Sequence, residues 1–147
     1  MLKSRHTAAV ILILAAIILL FSIFSLVKKQ EAVQNKIDRT FIEQLSNVIT
    51  GFSMKLTGDE GISSYQRCIA SVAAAAAMSP LTSYEEENDE LDIALHNLYM
   101  AMLNADYKEE IVSNDALFRE LFLNLSRNPK DKGTTDAIIK FTASLQR

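Results

Sequence analysis

The chain has 147 residues, 15 basic and 18 acidic, a formal net charge of −3, no tryptophan and a single cysteine. That length makes one membrane helix plus one domain of ordinary size, and a lone Cys68 excludes an intrachain disulfide or a zinc site built from paired thiolates. All 18 acidic residues lie after position 30 against 11 of the basic ones, so the C-terminal part carries −7 and is unsuited to nucleic acid phosphate.

Residues 1–7 read as a short tail with Lys3, Arg5 and His6, and residues 8–27 as a transmembrane signal-anchor. The second stretch holds 20 uncharged residues, mostly Ile, Leu, Ala and Phe, and a helix of that length rises about 30 Å, one bilayer core. Ala8, Leu12, Ala15, Leu19, Ser22 and Val27 mark the anchor. Ala8, Ala15 and Ser22 recur every seven residues, a stripe against which another helix can pack. The run exceeds the usual core of a cleaved signal peptide, and Lys28-Lys29-Gln30-Glu31 stand where a peptidase needs small residues, so the anchor is expected to stay attached. Membrane lipid is thus one expected partner. The basic residues around the anchor, counted alone, keep the C-terminal side in the cytoplasm; the secretory layout and the length of the acidic domain favour an extracytoplasmic domain on a single-pass cell-membrane protein.

Residues 28–147 are expected to form a bundle of four or five helices, making the chain all-α with its transmembrane helix continuing into the domain. No Gly or Pro occurs in the first 50 residues, so the anchor helix runs on, burying Val33, Ile37, Phe41, Leu45, Val48, Phe52 and Leu56 at steps of three and four before Gly58 stops it. A second helix spans about 61–79, with Ile62, Tyr65, Ile69, Val72 and Ala76 inward and Pro80 closing it. Its alanines 73–77 admit a close neighbour, and Cys68 reads as a small buried hydrophobe. Ser83 and Glu86 form a capping box that opens a third helix, whose buried face is Leu91, Ala94, Leu95, Leu98, Met102 and Ala105. A fourth opens at Ser113 or Asn114, buries Leu117, Phe118, Leu121, Phe122 and Leu125, and stops at Asn128-Pro129. A fifth opens at Thr134 or Thr135 and carries Ile138, Ile139, Thr142 and Leu145.

Chemistry is sparse. Six carboxylates between Glu85 and Asp92 attract the thought of a divalent cation, but acidic side chains at a helix start are stabilised by its dipole and the turning glycine of a calcium loop is missing. Asp92 and His96 stand four apart, a spacing that suits a surface hydrogen bond. His96 is the domain's only histidine, which excludes paired Glu-x-x-His ligands, and there is no phosphate loop and no H-E-x-x-H. No catalytic, cofactor or metal residue is assigned. Asn124-Leu125-Ser126 matches a glycosylation acceptor but falls inside a helix among core positions. Tyr99 and Met100 lie off the expected core face of the third helix, marking a partner surface. These readings lead to a membrane-tethered, non-enzymatic interaction module that docks another envelope protein or forms a homo-oligomer, with a ligand-binding or sensory bundle working through a partner subunit as the alternative.

Overall fold

The computed structural model describes residues 2–146; the side chains of residues 2–13, 15, 16, 59 and 60 lie outside the description. Six helices follow in order: α1 (Leu2–Ser53), α2 (Gly58–Met78), α3 (Leu91–Leu103), α4 (Lys108–Ser113), α5 (Asp115–Arg127) and α6 (Lys132–Ser144), with no strand among the described residues. The all-helical expectation holds, with one helix more than the bundle count allowed.

Two compact units divide the chain, residues 1–36 and 37–147. The first is helical throughout its described length, and from Ile17 onward its apolar side chains are exposed. Val33, expected on a buried face, is among them. Within this unit Ser22 Oγ donates to the Ile18 carbonyl at 2.8 Å, so the hydroxyl is satisfied inside the helix.

The second unit is organised around one core. Phe41, Leu45, Val48 and Phe52 from α1 meet Val72 and Ala75 from α2, Leu95 and Leu98 from α3, Phe118 and Phe122 from α5 and Ile138 from α6, all fully buried. Each large side chain removed from water contributes about 1.5–3 kcal/mol. Phe52 stacks on Phe118 at 5.0 Å between ring centres, and Phe118 meets Phe141 edge-on at 4.8 Å. Side by side, α2 packs along α3, α3 along α6 and α5 along α6. The alanine run serves this packing, with Ala75 wholly enclosed, and Gly51 lets α1 approach α2 so closely that a Cβ there would stand 3.0 Å from that of Cys68.

Helix ends are where the sequence reading needed correction. The capping box at Ser83 does not start α3, which opens eight residues later at Leu91. Ser83 instead donates its N–H and its hydroxyl to the Asp38 carboxylate of α1, at 2.9 and 2.6 Å. Residues 83–90 form turns, held by Tyr84 against Phe41 and by Asn88, which is fully buried and donates from Nδ2 to the Pro129 carbonyl and to Thr135 Oγ1, both at 2.8 Å. The fourth expected helix is preceded by a separate short one, α4: Asn114 caps its end by donating to the Glu110 carbonyl at 2.8 Å, and α5 starts at the next residue. Asp131, rather than either threonine, caps α6, accepting from Gly133 N–H and from Thr134 Oγ1. Thr134 and Thr135 are buried. Helix α3 ends at Leu103, which leaves Ala105 exposed in a 3-10 turn; Ile62 and Leu117, expected inside, face out.

Candidate functional site

The expected anchor residues divide. Leu19, Ser22 and Val27 are exposed on α1; the side chains of Ala8, Leu12 and Ala15 lie outside the described residues. Among the described residues no helix is long and apolar enough to cross a membrane; of the expected span, residues 8–27, the side chains at 8–13, 15 and 16 lie outside the description.

In the domain, the outer face of α3 carries three unpacked apolar side chains beside the exposed polar His96 and Asn97. Ile93, Met100 and Leu103 are 51%, 52% and 53% exposed, at spacings of seven and three that place them along one side of the helix. His96 lies between them in register and is also exposed, its ring 6.4 Å from that of Tyr99. Tyr99 itself is half-buried against the core, so of the two residues expected to mark a partner surface Met100 is the exposed one. The Asp92 carboxylate accepts from the Ile93 N–H at 2.6 Å, engaging its own helix start.

A groove of about 760 Å³ opens where the α1–α2 connection meets α4, with Leu56, Ile62, Ala105 and Val112 giving it apolar walls and Lys108 and Glu109 charged ones. Sequence reasoning missed it because its walls come from two stretches, 56–62 and 105–113, that lie far apart in the chain. The misplaced Ile62, an apolar residue turned out of the core, is the one local sign of it. Lys108 Nζ also sits 5.2 Å above the Tyr65 ring.

Buried polar chemistry is locked rather than poised. Tyr65 donates to the Met102 carbonyl at 3.1 Å, and burial, with Cys68 adding to it, pushes its phenol up to about 12. Burial likewise pushes the Cys68 thiol up to about 12, far from the thiolate a nucleophile requires. The acidic run is partly neutralised: Glu87 pairs with Lys130, and Asp89 with Lys132 at 3.3 Å, tying the 83–90 turns to the start of α6. Enclosure of Glu85, reinforced by Asp92 and Asp89, raises its carboxyl above the ordinary range. Among the described residues no three His, Cys, Asp or Glu side chains converge closely enough to hold a metal. The chain matches no known family model, no curated protein and no solved structure.

Proposed function

We propose that this protein is a membrane-tethered, non-enzymatic helical module that docks another protein of the cell envelope, or a second copy of itself, through the outer face of α3. The observation that carries the reading is the half-exposed row Ile93, Met100 and Leu103, three apolar side chains along one side of a single helix in a domain of net negative charge. The tether is the helix over residues 8–27. Its described part presents Leu, Ile and Phe outward and satisfies Ser22 internally, which suits a hydrocarbon surround. The domain is assigned to the extracytoplasmic side of a single-pass protein.

Purification of the full chain in mild detergent after cross-linking from position 100 tests the docking face. A partner or a homodimer is expected in stoichiometric amount, and Met100→Glu should abolish it while leaving the helical circular dichroism intact. Co-purification unaffected by that substitution would overturn the assignment of the face. For topology, a C-terminal alkaline phosphatase fusion should be active and a green fluorescent protein fusion dark; the reverse pattern places the domain in the cytoplasm.

The groove beside Leu56 and Ile62 favours a second reading, a bundle that binds an apolar small molecule and signals through a partner subunit. A small molecule retained through purification, and lost in Ile62→Glu, would support it over protein docking.

A further inference from the structure

Where the apolar part of α1 gives way to charge, Phe21, Phe24, Ser25, Lys28, Lys29 and Ala32 line one shallow concavity of about 340 Å³. Their spacings of three, one, three, one and three are those of a single helical face. Three layers succeed one another along it. Phe21 and Phe24 stand 74% and 58% exposed at the apolar end; Ser25 follows; Lys28 and Lys29 lie one turn beyond, and Ala32 leaves room above them. The Lys28 ammonium rests 4.8 Å from the centre of the Phe24 ring, so the cation is drawn back toward the aromatic layer. Among the described residues no carboxylate pairs with either lysine.

The geometry points to a headgroup site for an anionic phospholipid on this face. The inference rests on the tether proposed above, and it goes further by naming the lipid class and the residues. Lys28 and Lys29 line the same concavity and bring two ammonium groups to one phosphodiester, and Ser25 adds a hydroxyl to that lining. The two phenyl rings one turn below offer apolar surface where the glycerol and the first methylenes of the acyl chains must lie. A zwitterionic headgroup brings its own cation toward Lys28 and Lys29 and forfeits the advantage. Aromatic and basic residues at this depth also fix how far the helix sinks, since the rings settle at the interface and the lysines reach into water.

The test places the full chain in lipid nanodiscs holding equal parts of phosphatidylglycerol and phosphatidylcholine and counts the lipids retained by native mass spectrometry. Attraction of a basic side chain to an anionic surface corresponds to a factor of roughly five for each lysine. Enrichment of phosphatidylglycerol by about five- to twentyfold is therefore expected for the wild type. The double variant Lys28→Gln, Lys29→Gln should retain both lipids equally, and Lys28→Arg, Lys29→Arg should keep the preference. A chain that enters the discs and retains the two lipids alike overturns the headgroup site and leaves the tether standing. A chain that fails to enter any disc overturns the tether, and the site with it.

Discussion

Gly61 is the position at which a single added methyl group should cost most. It is buried in the first turn of α2, and a Cβ built there would stand 2.6 Å from the Leu56 carbonyl oxygen and 3.1 Å from its Cα, and closer still to the carbonyl carbon. Carbon atoms rest about 3.5 Å apart, so the backbone at Leu56 would have to retreat by about 1 Å. Leu56 is only 6% exposed, and moving it returns part of a buried leucine, worth about 2 kcal/mol, to water. Overpacking adds about 1–3 kcal/mol, while alanine recovers about 1 kcal/mol of helix propensity over glycine. The balance for Gly61→Ala is a loss of about 2 kcal/mol, which in a domain of this size lowers the melting temperature by about 8 °C. Thermal unfolding of residues 31–147, followed by circular dichroism at 222 nm, gives the number. Gly58 supplies the contrast. Its φ is +75° and a Cβ there meets nothing within 4 Å, so Gly58→Ala is penalised by backbone conformation alone. Asparagine tolerates that conformation, so Gly58→Asn should recover stability relative to Gly58→Ala, whereas Gly61→Asn should be no better than Gly61→Ala. A Gly61→Ala domain as stable as the wild type would show that the turn before α2 yields freely, and the steric reasoning would fail.

Asn88→Ala should destabilise the same fragment by about 2–3 kcal/mol in urea, because it strips the donor from Pro129 and Thr135 inside the core. The loss is held to that range because Asn88 Oδ1 is already enclosed without a hydrogen-bond partner; a change under about 0.5 kcal/mol would mean water replaces the amide. Glu85→Gln should stabilise the domain at pH 7. The Glu85 carboxyl is raised in the folded state, so its contribution is present below the ordinary value of 4.5 and lost as pH rises through the folded value; the gain on substitution should vanish at about pH 3, and a pH-independent effect would refute it. Cys68 should resist Ellman's reagent at pH 8 until guanidinium unfolds the domain, and the wild type should lose stability as pH climbs from 9 toward 12, since its thiol is raised on folding. Rapid labelling of the folded domain would place the thiol at the surface.

Local pattern was enough to find the helices. Steps of three and four through Phe41, Leu45, Val48 and Phe52 name the buried face of α1, and Leu91, Leu95, Leu98 and Met102 that of α3, because an amphipathic helix must turn its apolar side inward wherever its partners lie. The burial of Cys68 was legible in the same way, from apolar and small neighbours. Helix ends, by contrast, were decided between distant segments. Ser83 and Glu86 satisfy a capping rule on paper, but Asp38, 45 residues earlier, takes both Ser83 donors, and Asn88 reaches across to Pro129; these contacts hold residues 83–90 as turns and delay α3 to Leu91. The candidate surfaces divide similarly. Met100 was found off the core face by counting residues along one helix, whereas Tyr99 was drawn back against the core by its neighbours, and the groove at Leu56, Ile62 and Val112 exists only once two distant stretches meet. A side chain's periodicity is set by its own helix, but what covers it, and which donor its hydroxyl or amide finds, is set by chains brought together from elsewhere in the fold.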